Sequence, residues 1–132
     1  MKVIVDTSIW SMVFRRKQRA NKELAAKLLS LIDDSRVVLL GPIRQEILSG
    51  VKSKKQFDQL KDHLSAFPDF PLTVRDYEKA AEFFNTCRSK GIQGSNTDFL
   101  ICAVSFRHNF SIFTTDKDFY LFQNFLPIKI EK

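Results

Sequence analysis

The stretch Lys2-Val3-Ile4-Val5-Asp6-Thr7-Ser8 decides how the rest of the chain reads. Two valines and an isoleucine in a row suit a short strand buried on both faces of a parallel sheet. The run ends on a carboxylate. Thr7 and Ser8 follow it, and both residue types are good helix N-caps. In an open α/β sheet, ligands collect just beyond the carboxyl ends of the strands. Asp6 falls at that place, so the next question is which other acids converge on it.

Working outward, the apolar run Val37-Val38-Leu39-Leu40 reads as a second buried strand and Ser111-Ile112-Phe113-Thr114 as a third. Leu126-Pro127-Ile128-Lys129-Ile130 reads as a last, edge strand, where proline is tolerated. Helical patterns fill the intervals. Ile9 to Phe14 forms a helical turn or short helix. Asn21 caps a helix carrying Leu24, Leu28, Leu31 and Ile32, and Gly41-Pro42 starts another with proline at a favoured first position. Lys52 to Phe67 is amphipathic, with Phe57, Leu60 and Leu64 on its apolar side. Pro68 and Pro71 bracket a short irregular or strand-like piece that ends near Leu72-Thr73-Val74. Asp76 to Lys90 is helical, with Gly91 placed to end it, and a further helix opens at Asp98 with Ile101, Cys102, Val104 and Phe106 on its apolar side. Strands alternating with helices predict an α/β fold, a mostly parallel central sheet with helices on both faces.

Composition bounds the rest. The 132 residues are 44% hydrophobic and include thirteen phenylalanines, enough for one compact domain over residues 1–132 with an aromatic core. Cys87 and Cys102 are too few for a disulfide framework and read as free, buried thiols in a reducing cytosol. Met1 leads directly into the first strand, and no apolar run approaches the ~20 residues of a transmembrane helix. A cytoplasmic protein is expected, with no membrane partner. The net charge of +6 favours an anionic partner such as nucleic acid. Within it, the segment containing Arg15, Arg16, Lys17 and Arg19 is either a solvated connection or a phosphate-contacting arm.

Four acids hold comparable places. Asp6 and Asp116 each lie just past a buried strand, and Glu46 and Asp98 each lie in the first turns of a helix beside a Gly-containing connection. Glu46 shares a helical face with Ile43, Ile47 and Gly50, which puts it on the side expected to be buried. Right-handed crossovers bring all four positions to one sheet edge. Close carboxylates raise one another's pKa, and a hard divalent cation relieves that repulsion. Mg²⁺ or Mn²⁺ prefers such oxygens and keeps waters for chemistry. Each acid also has a structural alternative: a cap for Asp6, a helix N-terminus for Asp98, an Asx turn for Asp116, a surface site for Glu46. His63 and His108 read as ordinary surface or packing histidines, and no Gly-rich phosphate loop occurs.

These motifs in order — Val3 to Ser8, Glu46, Asp98-Phe99-Leu100-Ile101-Cys102-Ala103, and Thr114-Thr115-Asp116-Lys117-Asp118-Phe119 — resemble the PIN-domain ribonucleases, and most of all the VapC toxins of toxin–antitoxin pairs. The resemblance spans nearly the whole chain and implies a three-layer PIN-like fold. It places Asp6, Glu46, Asp98 and Asp116 at the family's metal site, with Thr7 and Thr114 as supporting hydroxyls. Asp118 is a neighbouring acid that competes with Asp116 for the role of ligand. It implies a Mg²⁺-dependent (or Mn²⁺-dependent) endoribonuclease that hydrolyses RNA, tRNA included, through a metal-bound water, with a cognate antitoxin as partner and a homodimer as the usual assembly.

Two other functions compete. A phosphohydrolase or phosphoacceptor also places an aspartate after its first strand, but common versions carry a second aspartate two residues on, where this chain has Ser8. A non-catalytic RNA- or antitoxin-binding module of the same fold is disfavoured by retention of all four acids. A partner surface, if present, is expected among Trp10, Phe14, Phe57 and Leu60.

Overall fold

The computed structural model describes residues 1–15 and 22–132, with the side chain of Arg15 left out. The two central strands are three residues each, β1 (Val3–Val5), all apolar, and β3 (Ser111–Phe113), in which Ser111 precedes two apolar residues, and every residue of both is buried. Two-residue strands flank them, β2 (Val37–Val38) and β4 (Lys129–Ile130). The sheet order is β2-β1-β3-β4 and all three pairings are parallel. Val3 pairs with Val37 on one side and Ser111 on the other, while Val5 pairs with Phe113. Strands buried on alternating sides require cover on both faces, as the alternation of elements predicts.

The cover comes from helices α1 (Thr7–Arg15), α2 (Lys22–Asp33), α3 (Gly41–Leu48), α4 (Lys54–Leu64), α5 (Val74–Ser89), α6 (Asn96–His108) and α7 (Asp118–Gln123). The order of strands reverses direction at β1, which sends one crossover towards β2 and the next towards β3. The topological switch point therefore lies between the carboxyl ends of β1 and β3. Asp6 and Thr114 are the first residues past those ends.

Several local expectations need correction. The helix expected from Asp98 starts at Asn96, because Ser95 is its N-cap and Asp98 is the third helical residue. That helix is not amphipathic: Phe99 through Ser105 are all buried, whereas Phe106 is 45% exposed. A helix apolar all round belongs in the middle of the core, and its periodicity is then uninformative. The irregular or strand-like piece bracketed by Pro68 and Pro71 ends just before α5, with Thr73 as the helix cap and Val74 as the first helical residue. The extended contact in that region comes earlier, where Leu39 bridges Asp69 in parallel. The expected helix over residues 52–67 is shorter, Lys54–Leu64, with Ser53 accepting the Gln56 amide as its cap. The cap expected at Asn21 lies outside the described residues.

Gly91 ends α5 as predicted, with φ at +75°, where a side chain would be strained. Gly94 has a different reason to be glycine. A Cβ there would stand 2.7 Å from Phe122 Cζ and 2.9 Å from Phe99 Cε2, so the loop that aims α6 lies flat on two core rings.

Asp76, by its sequence context only the start of a helix, has a larger part in the fold. It is fully buried at the N-terminus of α5 and binds the Thr73 amide (2.9 Å), the Arg107 guanidinium and His108 Nε2 (3.1 Å). Desolvation works to raise its pKa. The Thr73 amide, Arg107 and His108 outweigh that and hold the carboxyl below its usual range. The cluster ties the start of α5 to the end of α6, and it gives His108 the packing role expected of it, edge-on to Phe70. Cys87 and Cys102 are both free and buried, with burial pushing both thiols up.

Candidate functional site

Asp6 is where strand becomes helix. Its amide continues the ladder to the Phe113 carbonyl (2.9 Å), and its own carbonyl accepts from Ile9 and Trp10 to start α1. The side chain is left pointing out of the sheet end and is only 6% exposed. Burying a carboxylate demands donors. Ser8 Oγ and Thr114 Oγ1 each donate to Asp6 Oδ2 at 2.8 Å.

Each hydroxyl is itself aimed by a backbone amide. Thr115 N donates to Ser8 Oγ (3.1 Å) and Asp116 N donates to Thr114 Oγ1 (2.9 Å). Their single protons are thus directed at Asp6. The loop after β3 then turns on Asp116, whose Oδ1 accepts the Asp118 amide (2.9 Å) at the start of α7. Asp98 closes a capping box with Ser95: the Ser95 amide donates to Asp98 Oδ2 and the Asp98 amide donates to Ser95 Oγ, both at 3.0 Å.

The charges of Asp6, Asp98 and Asp116 feel one another. Burial pushes the Asp98 carboxyl up, its Ser95 hydrogen bonds pull it part of the way back, and the charges of Asp116 and Asp6 push it up further. Glu46 stands at the rim. It is exposed rather than buried, and it lies in the last turn of α3 rather than the first. The helical phase differs from the expected one because Arg44 occupies the inner side, where its guanidinium binds the Leu64 and Phe67 carbonyls and Asp69. Glu46 is nonetheless tied to the group, since Thr7 Oγ1 donates to its Oε1 at 2.7 Å and Thr7 adjoins Asp6.

The four predicted acids and the hydroxyls of Thr7 and Thr114 therefore gather at the switch point. Asp118 contributes its amide to Asp116 and opens α7. Ser8 is the residue of the site that sequence reasoning misses. Its place two residues after Asp6 is the available signal. Arg16, Lys17 and Arg19 lie outside the described residues, as does the side chain of Arg15. Of the candidate partner-facing groups, Trp10 is buried, with its indole N–H on the Val5 carbonyl (3.1 Å), while Phe14, Phe57 and Leu60 are half-buried.

The structural alternatives for the acids and their chemical roles are compatible. The hydrogen bonds within the described residues fall on one oxygen of each carboxylate: Oδ2 of Asp6, Oδ2 of Asp98, Oδ1 of Asp116 and Oε1 of Glu46. The second oxygen of each remains for a ligand. Among the described residues no three acidic, histidine or cysteine side chains stand close enough together to hold a metal ion as they are placed. The acids at the switch point offer only oxygen donors, and Asp98 among them is pushed up first by burial and then by the charges of Asp116 and Asp6. That donor chemistry fits a hard divalent cation that retains waters.

The family model for the PIN domain matches residues 3–123. The chain belongs to the PIN-domain family. PIN domains are generally nucleases, typically dependent on a divalent metal. No curated protein sequence matches closely enough to count as a relative. Solved structures share the fold at low identity. VapBC2 of Rickettsia felis, bound to a DNA fragment from its promoter, is 18% identical with a TM-score of 0.81 over 99% of this chain and 98% of its own. FitAcB of Neisseria gonorrhoeae is 18% identical, TM-score 0.77, over 98% and 96%. A toxin–antitoxin complex from Klebsiella pneumoniae is 17% identical, TM-score 0.64, over 88% of each chain. In fold, this PIN domain is VapC-like.

Proposed function

We propose that this PIN domain is a divalent-metal-dependent endoribonuclease and the toxin of a toxin–antitoxin pair. The observation that carries the reading is the carboxylate group at the switch point: the charges of Asp6 and Asp116 bear on Asp98, and each of the three has one oxygen anchored and one spare. Asp6, Asp98 and Asp116 would hold Mg²⁺ or Mn²⁺, with Glu46 as a further ligand or as the group that orients water. Once bound, such an ion polarises a phosphodiester and makes a water acidic enough to attack it.

The chain's own residues do the rest. Ser8 and Thr114 fix the orientation of Asp6 through one oxygen and leave the other for a ligand. A bound cation would offset the burial and the neighbouring charges that push the Asp98 carboxyl up. Glu46, exposed and oriented by Thr7, is placed to accept a proton from the attacking water. Phosphates are repelled by this cleft without a cation, so the basic surface elsewhere has to bring RNA in. The segment with Arg15, Arg16, Lys17 and Arg19 is proposed for that task.

The fold likeness to VapBC and FitAcB supports an antitoxin partner. An arginine from such a partner would enter the acidic cleft by charge-assisted hydrogen bonds and exclude the metal. A homodimer in the cytoplasm is the matching expectation. Among the described residues, no helix is long and apolar enough to cross a membrane.

The deciding experiment measures cleavage of structured and single-stranded RNA with Mg²⁺, with Mn²⁺ and with EDTA, with Asp98→Asn as control. The reading predicts cleavage that needs the metal, is lost in Asp98→Asn, and is blocked by the protein encoded beside this one. RNA left intact by the wild type under all metal conditions overturns the nuclease reading. Cleavage that the neighbour does not inhibit leaves a stand-alone nuclease. Binding across a salt series tests the basic segment, whose replacement should lower the salt slope by roughly one unit or less per phosphate contact.

A further inference from the structure

A cavity of about 460 Å³ lies between α5, the first turns of α6 and the start of α3. Asn96 and Phe99, which line it, bracket Asp98 on α6. We propose that this cavity receives one unpaired nucleobase of the RNA next to the phosphate that the carboxylates address. This inference rests on the nuclease reading and names how the substrate is positioned.

The walls suit a base better than a phosphate or an ion. Tyr77 and Phe84, both on α5, supply aromatic surface, and Tyr77 is 55% exposed. Phe84 is held edge-on against Phe99, with centroids 5.5 Å apart at 74°, so its orientation is set by the core before any ligand arrives. The exposed amides of Asn85 and Asn96 also line the cavity and offer donors and acceptors to a base edge. Aromatic faces with amide groups nearby are how single-stranded RNA bases are recognised.

Charge points the same way. The acid cluster repels the backbone, so a nucleotide beside it needs its own cation. Phe84 also lines a smaller cavity of about 80 Å³ bounded by Arg88, and the Arg88 guanidinium sits over the Phe84 ring at 5.1 Å from its centroid. A base against Phe84 therefore has a cation beside it for its flanking phosphate. The volume falls in the range of small-ligand pockets, which suits a single nucleotide.

The test is binding in EDTA, where no cleavage occurs. Single-stranded oligoribonucleotides carry 2-aminopurine at one position at a time on either side of the cleavage point, with an abasic residue at the same positions for comparison. Quenching at one position is expected. Tyr77→Ala and Asn85→Ala, at exposed positions, should weaken binding of the natural oligonucleotide by roughly 5- to 100-fold and leave the abasic one unchanged. Phe84→Leu should act likewise if it melts as a folded protein. A wild type that cuts RNA but quenches no position overturns the pocket alone, as does equal loss on natural and abasic RNA. A Tyr77→Ala protein with altered mass in light scattering and unaltered RNA binding overturns it in favour of a second copy seated there. A wild type that neither binds nor cuts RNA overturns the pocket together with the nuclease reading.

Discussion

Thr114→Val isolates the hydroxyl that supplies a donor to the buried Asp6 carboxyl. Valine has nearly the shape of threonine, so the change removes a hydroxyl and little else. Two hydrogen bonds go with it: Thr114 Oγ1 to Asp6 Oδ2 at 2.8 Å and Asp116 N to Thr114 Oγ1 at 2.9 Å. A hydrogen bond to a charged group contributes about 1.5–3 kcal/mol, and a neutral one about 0.5–1.5 kcal/mol. The added methyl group, in a site only 7% exposed, returns about 0.8 kcal/mol. The net cost is about 2–3 kcal/mol, or roughly 6–12 °C in melting temperature for a chain of this size. The assay is thermal melting in EDTA at neutral pH, with Thr114→Ser, which keeps the hydroxyl, as the companion. Thr114→Ser should recover most of the loss. A Thr114→Val protein melting within about 2 °C of wild type would show that Ser8 alone satisfies Asp6, and the argument for paired hydroxyls would be wrong.

Asp98→Asn should abolish cleavage and leave the apo protein as stable as wild type or more so. An acid whose folded pKa is raised costs stability when charged, so the benefit of asparagine holds above the folded pKa and vanishes as pH falls below the ordinary carboxylate value; melting in EDTA at neutral and acid pH reads it, and a marked loss at neutral pH contradicts it. Asp76 has the opposite sign: its depressed pKa contributes stability above the ordinary carboxylate range, lost as pH falls through the folded value. Asp76→Asn should cost about 3 kcal/mol, the low end for breaking a buried pair because Arg107 keeps some access to water, and denaturant titration would expose a neutral result. Gly94→Ala should cost about 1–3 kcal/mol by driving a methyl group into Phe99 and Phe122, and it should lower cleavage by tilting the turn that carries Asp98; wild-type stability together with wild-type cleavage would refute both parts.

Much of the fold is legible in the linear pattern. The runs at Val3–Val5 and Ser111–Phe113 are short and mostly apolar, and each is followed by a polar residue, a pattern that suits a sheet buried on both faces. The acids at strand ends follow from topology, because a parallel sheet with one handedness of crossover sends every strand's carboxyl end to one side. Phase and partnership are not legible in the same way. Spacing alone puts Glu46 on the inner side of α3, because it does not say that Arg44 turns inward to hold the end of α4. Spacing likewise gives Phe106 an apolar face that does not exist on a helix buried through Phe99–Ser105. Asp76 has the pattern of an ordinary helix start, and nothing near it in the chain announces that Arg107 and His108 close over it. The same holds at the centre of the site. Sequence puts Asp6 at the end of β1, but only the folded chain brings Ser8 and Thr114, one residue beyond a strand paired across the sheet, onto a single oxygen of it. Local order determines which backbone each residue builds. Which charges are buried and which donors meet them depends on contacts between distant segments, and only the tertiary structure decides those.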